Sequence, residues 1–557
     1  MKKKDEPNER ETTAGQSIAG TLSRPVTRRT LIKAALASAP LLIVGPTLLL
    51  PRKAAAAKNF GPSTTTEPYL VPSIPGVELR SILTVGDSIG GYRLVGIPDG
   101  LGAFRSHGNE FTLLMNHELG GTAGIVRAHG SKGAFVSQWT IDRKSLKVLS
   151  GQDFTQSPSD VYTWDAATNA YLQGTTVWQR LCSGDLAAEG AFFGKGKGTK
   201  ERIYLNGEES TTTVGTAPNP VVVVDQGRPW ARVATGPHAG ETWQLPHLGR
   251  MAYENAVASP YPQEKTIVVL LDDSALSTAG VISNTVPSEV YLYIGNKEKN
   301  GYPIVQAGLT NGDFYGVKIS VSGSVVTEES NDFGLGTAAT GFLGEGRFAL
   351  SKLGDVSALT AVQIEQLSIE AGIARLQRVE DGAWDPRKEH ANDFYFVTTA
   401  SLTNNCRLWR LRFDDIENPE KGGEIEILLH GGEGQGMLDN VTIDHHGRIL
   451  MDEDPGNAGR VAKIWLYSID TADFIQVAEH NPKFFDPTIL NNSSFLTQDE
   501  ESSGIIDAED ILGKGWFLLD VQGHKANPDI ELVEYGQLLA MFVDPSIGAG
   551  DDDEDDG

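Results

Sequence analysis

The sequence predicts an all-β protein, a β-propeller of six blades with irregular insertions and a few helices. Three observations predict it. Short runs rich in β-branched and aromatic residues recur from residue 58 to 545, separated by Gly, Asn, Asp and Pro turns. The 62 glycines match the many tight turns such strands require. Strands and helices do not alternate, so a parallel βαβ sheet is not expected. A set of β-sandwiches is the other architecture these strands permit, and no clean fixed-period repeat separates the two.

Residues 1–57 read as an address rather than as part of the fold. The stretch 27-TRRTLIKAA-35 pairs Arg28 and Arg29 ahead of Leu31, Ile32 and Lys33, as a twin-arginine export signal does. An apolar run follows, 34-AALASAPLLIVGPTLLL-50, then 54-AAAA-57, small residues that a signal peptidase accepts. Pro40 and Pro46 interrupt the run, which favours cleavage near Ala57 over a membrane anchor. The expectation is export to the periplasm or beyond, with no stable membrane span after cleavage.

Over 58–545 the clearest strands are 202-RIYLNG-207, 266-TIVVLLDD-273, 289-EVYLYIG-295, 394-FYFVTTA-400, 407-RLWRLRF-413, 448-RILMDED-454 and 463-KIWLYSI-469. Several alternate apolar and polar residues with period two. One stretch, 357-SALTAVQIEQLSIEAGIARLQ-377, has helical spacing. The closing 546–557 segment, with 551-DDDEDD-556, reads as an acidic, solvated tail.

The net charge of −26 argues against nucleic acid and anionic membranes as partners and is compatible with bound cations. Cys182 and Cys406 are the only cysteines. They permit one bridge or two buried thiols, and without a CxxC pair no zinc ribbon.

Strands repeatedly end on acids: 113-LLMNHE-118, 203-IYLNGEE-209, 268-VVLLDD-273 and 449-ILMDED-454, with Glu254 and Asn255 inside 250-RMAYENA-256. Strands lining a propeller channel share one direction, so these ends would meet at one mouth. Converging carboxylates repel and are costly to bury, and a hard multivalent cation such as Ca²⁺ relieves both problems. Alternation puts Asn116 and Glu118 on one face and His117 on the other, and makes only one of Glu208 and Glu209 face inward. Arg378 and Glu380 share a face across Val379, pairing an anion-binding fork with a carboxylate.

These motifs together resemble the PhoX-type alkaline phosphatases, exported calcium-dependent β-propeller enzymes. The likeness rests on the twin-arginine pattern, Asn116-His117-Glu118, Glu208-Glu209, Gly249-Arg250 with Glu254, and Arg378-x-Glu380. It extends to 438-LDNVTIDHHGRILMDEDPGN-457 and 498-QDEESSGIIDAEDILGKGWFLLDVQGH-524. The resemblance implies phosphomonoester hydrolysis at a calcium and iron cluster. It implies metal ligation by Glu118, Glu208 or Glu209, Glu254, Glu380 and Asp439. Asn116 would sit beside the phosphate or a metal, and Arg378 would clamp the phosphoryl oxygens. The expected partner is a small phosphate ester, and the expected state a monomer. One departure stands out. The family holds iron partly through a cysteine upstream of the Asn/Glu motif, and 91–114 contains none. Cys182 lies downstream, and His107 or His117 are other candidate ligands, so Ca²⁺ is expected and Fe is left open.

Other readings remain in view. A non-catalytic, calcium-binding secreted propeller would carry the same acidic rim. A serine esterase would use Ser88 in 84-TVGDSIGGY-92, but a strand-and-turn pattern follows where a nucleophile elbow needs a helix. The loop 194-GKGKGTK-200 lacks P-loop spacing. His445 and His446 are expected to point apart on a strand, His390 and His430 to lie at the surface, and Trp384 to pack within a blade.

Overall fold

A computed structural model of the chain describes residues 59–210, 213–214, 221–222, 227–273 and 288–549. The sequence-derived signal over 1–57 and the acidic run 551–556 lie outside them.

Among the described residues, six blades of mainly antiparallel strands surround a channel. Blade 1 runs outward through Pro98–Arg105, Glu110–His117, Phe135–Asp142 and Val148–Asp153. Blade 2 has Leu181–Leu186, Ile203–Glu208, Pro229–Val233 and Thr242–Gln244, extended at its outer edge by Val161–Asp165 and Ala170–Gln173. Blade 3 has Tyr253–Ala258, Lys265–Asp272, Ser288–Asn296 and Asp313–Val321, and blade 4 has Val379–Trp384, Asp393–Thr398, Arg407–Phe413 and Gly423–Leu429. The inserted strand Glu345–Gly354 pairs with the outer strands of both and fuses blades 3 and 4 into one continuous sheet. Blade 5 has Leu438–Ile443, Arg448–Glu453, Lys463–Ser468 and Phe474–His480, with Leu70–Pro72 added at its edge. Blade 6 takes Glu500–Asp507, Trp516–Gly523 and Tyr535–Val543 from the C-terminal part and its outer strand, Val77–Thr84, from the N-terminal part.

The six innermost strands each touch the next around the ring, and the sixth touches the first. The ring is closed, and the blade shared by both ends of the described chain fastens it. Period-two alternation explains the packing. Along Tyr535–Val543, Leu539 and Met541 pack towards blade 5 with Leu450 and Leu466, whereas Leu538 and Ala540 pack towards blade 1 with Leu113 and Trp139. Each strand therefore feeds two inter-blade cores, which favours long apolar runs over a solvated face.

The seven strands read from the sequence all form, with ends shifted by a residue or two. The helix is shorter than its periodicity suggested. It spans Ala361–Ala371, opened by a Thr360/Gln363 capping box and ended by Gly372 at φ 68°. Beyond that stop the chain pairs as a strand at Arg375–Leu376. Both cysteines are buried free thiols. Ser88 is exposed on a two-residue strand that turns back through Tyr92–Arg93, with no following helix.

One irregularity recurs in every blade. The pairing of innermost and second strands shifts register at Asp99/Leu101, Leu181/Gly184, Tyr253/Asn255, Val379/Gly382, Leu438/Val441 and Ser503/Ile506. A bulge bends its strand and re-aims side chains. Six bulges at one level of the channel set the geometry of what lies there.

Candidate metal centre

The bulges carry the polar residues. Asp99, Cys182, Glu254, Glu380 and Asp439 sit at or within the five shifts of blades 1 to 5, and all are buried. They join Glu118 and Glu209, which follow the second strands of blades 1 and 2, in three overlapping triads. Asp99, Glu118 and Cys182 form one, Cys182, Glu209 and Glu254 the next, and Glu254, Glu380 and Asp439 the third. Within each triad the ligand atoms lie within 4.8 Å of one another. Cys182 and Glu254 each belong to two triads and link them into a continuous arc.

The arc is under electrostatic tension. Burial first, then Glu118, Glu501 and Glu254, push the Asp99 carboxyl well above its usual range. Burial, Glu209 and Asp381 do the same to Glu254. Glu380 and Asp439 are also raised well above theirs, by burial and by neighbouring carboxylates. Burial and Asp99 raise the Cys182 thiol. Glu254 Oε1 and Asp439 Oδ1 are buried without a hydrogen-bond partner. Orphaned carboxylate oxygens among like charges are the condition that a multivalent cation removes. The residues fit such ions: six carboxylates supply hard oxygen donors suited to Ca²⁺, and the Cys182 sulfur adds a donor for a softer metal such as iron.

Two arginines overlie the arc. Arg180 Nη2 lies 2.9 Å from Glu118 Oε1 and also pairs with Glu209. Arg378 bridges Asp273 at 2.6 Å and Glu380 at 2.9 Å. Burial alone would favour neutral guanidinium, but Glu380 and Asp273 hold Arg378 firmly charged. Their side chains are 49% and 29% exposed, so both guanidiniums reach solvent above buried acids. Arg378 also adopts φ 60°, an uncommon backbone for a non-glycine residue, immediately before its bulged strand. His524 completes the rim between Glu501 at 3.2 Å and Glu534 at 2.9 Å. Burial lowers its pKa, but the bonds to these acids prevail and raise it to about 11.

The remaining sequence candidates take other places. Glu208 does not join the arc. It is buried, and both its oxygens accept from Arg228, at 2.8 Å from Nε and 2.7 Å from Nη2. Its neighbour Glu209 turns inward, as alternation requires of one of the two. Asn116 spends its side chain on the scaffold: Nδ2 donates to the carbonyls of Cys182 at 2.6 Å and Ser183 at 3.1 Å, and Oδ1 accepts from Asn206 at 2.9 Å. It therefore fixes the Cys182 bulge rather than offering a free group. His117 faces away, stacked on Phe135 with Nε2 2.9 Å from Ser137 Oγ, and burial lowers its pKa to about 3. His107 is exposed on a hairpin. Asp452 lies behind the arc on a second strand, buried with neither oxygen hydrogen-bonded. Trp384 packs inside its blade against Phe394 and Phe413.

Sequence order had set Cys182 apart from the 116–118 triplet. The fold reverses this, because blades 1 and 2 are neighbours and Cys182 Sγ lies 3.3 Å from Asp99 Oδ2. Asp99 and Arg180 were not legible as site residues. Asp99 stands alone among small residues in 98-PDGLGA-103, and its only signal is a glycine at the point of close approach. Below the bulges the channel continues as a cavity of about 180 Å³ lined by Asp185, Asp381 and Trp384.

No protein-family model and no curated protein matches the chain. Among solved structures, the fold resembles Pseudomonas fluorescens PhoX in complex with vanadate, a transition state analogue. That likeness has a TM-score of 0.58 at 12% identity and covers 86% of this chain and 98% of that one. At this identity it bears on the fold. A PQQ-bound aldose sugar dehydrogenase from Streptomyces coelicolor matches at TM-score 0.29 and 9% identity, over 85% of this chain and 100% of that one. An α-L-arabinofuranosidase from Fusarium graminearum matches at 0.31 and 9%, over 80% and 92%. These last two likenesses are too distant to carry an argument.

Proposed function

We propose that the chain is a metal-dependent phosphatase that hydrolyses small phosphomonoesters at the mouth of the propeller channel. One observation carries the reading: a buried arc of carboxylates and one thiol lies directly beneath two solvent-reaching guanidiniums. The lower layer suits cations and the upper layer suits a tetrahedral anion. The fold shared with PhoX, whose structure holds vanadate, supports the same assignment. The twin-arginine pattern at Arg28-Arg29 supports export of the protein, with the metal site filled before or after passage.

Asp99, Glu118, Cys182, Glu209, Glu254, Glu380 and Asp439 would hold the metals, Ca²⁺ at the carboxylate-only triad and iron where Cys182 contributes. Bound there, such ions neutralise phosphate charge and activate an oxygen nucleophile. The chain's own part is positioning and charge. Arg378 and Arg180 each leave one carboxylate to fork two phosphoryl oxygens, and they stabilise the charge that spreads over those oxygens during transfer. Asn116 keeps the Cys182 backbone fixed. His524, held protonated, offsets the rim acids that would otherwise repel the phosphate. Purified protein should release phosphate from p-nitrophenyl phosphate, lose the activity on chelation and regain it with Ca²⁺. Absence of turnover under every combination of Ca²⁺ and iron would overturn the proposal in favour of a calcium-binding propeller without catalysis.

A further inference from the structure

A second convergence of ligating side chains lies at the opposite ends of the inner strands of blades 5 and 6. His445 and His446 occupy the turn between Leu438–Ile443 and Arg448–Glu453, not a strand, so strand alternation does not set where their side chains point. Asp444 fixes this turn. Its Oδ1 accepts from the amides of His446 at 2.9 Å and Arg448 at 3.0 Å, and its Oδ2 from Arg448 Nε at 2.7 Å. Across the blade boundary, Asp507 Oδ1 accepts the Glu509 amide at 3.0 Å, which leaves Oδ2 facing the turn.

His445, Asp507 and Glu509 each present one ligand atom, all within 4.8 Å of one another. His445 Nδ1 is 3.3 Å from Asp507 Oδ2. That is long for a charge-assisted hydrogen bond, which settles near 2.7–2.9 Å. It is close to the ~3.3 Å between two ligands of a tetrahedral ion bound at ~2.0–2.1 Å. His446 Nε2 stands 3.7 Å from Glu509 Oε2, and neither of these buried atoms has a hydrogen-bond partner. Two anchored backbones thus hold an imidazole and two carboxylates around one point, with a second imidazole beside it.

We propose that His445, Asp507 and Glu509 bind a single borderline divalent cation of the Zn²⁺ or Co²⁺ class, with solvent completing its coordination and His446 supporting Glu509. Imidazole with carboxylate selects this class over the hard cations suited to the channel arc. His445 is 51% exposed, so an ion enters and leaves without unfolding. Bound, it ties the blade 5 turn to blade 6, the blade that closes the ring.

The test uses the full protein, saturated with Ca²⁺ so that the channel carboxylates are already occupied, and adds Co²⁺ or Zn²⁺. Wild type should take up one more equivalent than His445→Ala or Glu509→Gln, and with Co²⁺ its d–d absorption should exceed that of both variants, which keep any Co²⁺ held at Cys182. Zn²⁺ should raise the melting temperature of wild type by more than that of either variant. Equal uptake by wild type and a variant with native circular dichroism would overturn the proposal. Glu509→Gln changes a partly exposed side chain, which keeps the test available if His445→Ala folds poorly. No phosphate release is read, so the outcome is independent of the proposed activity.

Discussion

Glu208 and Glu209 are adjacent acids that each meet an arginine in different surroundings. Glu208 is sealed against Arg228, whereas Glu209 shares a half-exposed Arg180 with Glu118 and faces Cys182 and Glu254. Removing one partner of a buried ion pair strands the other, at about 3–5 kcal/mol. Glu208→Gln should therefore lower stability by roughly 3 kcal/mol in urea unfolding while leaving the metal content unchanged. Glu209→Gln should do the reverse, with reduced metal content by elemental analysis and little loss of stability in chelated protein. At Arg378 the expectation is kinetic. Losing one preorganised donor to a transition-state oxygen costs about 10²–10³ in kcat. Arg378→Ala should show that loss in steady-state phosphate release with native circular dichroism, and Arg378→Lys should recover only part, because an ammonium cannot replace the planar fork.

At the level of elements, the bulge is the unit that builds the site. A regular strand turns alternate residues to opposite faces, whereas a bulge lets Glu380 and Asp381, or Asp439 and Asn440, both serve the channel. Asp381 accepts from Asn255 at 2.7 Å and from the Val441 amide at 3.1 Å, while Asn440 accepts from Gly504 at 3.0 Å and donates to Ser183. These bonds lock neighbouring bulges into one ring. Gly100 shows how tight the ring is. A Cβ there would meet Gly184 N at 2.4 Å and Ser183 C at 2.5 Å, both backbone atoms that cannot rotate away. Gly100→Ala should push blades 1 and 2 apart beside Cys182, costing about 1–3 kcal/mol. Calorimetric titration should show weakened metal binding. Unchanged affinity would mean that the blade 1–blade 2 contact does not set the site.

For the whole molecule, the concentration of buried acids makes metal, pH and stability one linked problem. Burial, with Glu501 adding to it, raises Asp454 to about 8; burial raises Glu500 to about 8 and Asp185 to about 7; and burial raises Asp273 to about 6 against the pull of Arg378. Folded-state values above the unfolded ones mean that the native state binds more protons between about pH 4 and 8. Stability of the metal-free protein therefore falls as pH rises through that window. Ca²⁺ bound at the arc displaces protons from the likewise raised carboxyls of Asp99, Glu254, Glu380 and Asp439 and binds the native state, so its stabilisation grows with pH. Thermal unfolding should show chelated protein melting lower at pH 8 than at pH 5, and Ca²⁺ should remove or invert the difference. A chelated protein more stable at pH 8 would contradict this account of the channel.

The sequence by itself determined the strands, because period-two alternation and turn residues are local. The all-β class and acidic strand ends such as Glu118 and Glu209 were legible for the same reason. Arg378-x-Glu380 was legible as a motif, and the structure joins the two in an ion pair. What only the tertiary structure decided is which acids meet. Asp99 and Cys182 are 83 residues apart and share a hydrogen bond because two blades stand side by side. Six register shifts, invisible to any rule of alternation, turn those residues to one level. Asn116 shows the converse: a polar residue in a suggestive triplet whose every donor and acceptor serves the scaffold. Local pattern fixes which face a side chain takes within its own strand. The closure of the ring fixes what that face confronts, and in this protein it confronts carboxylates from four other blades.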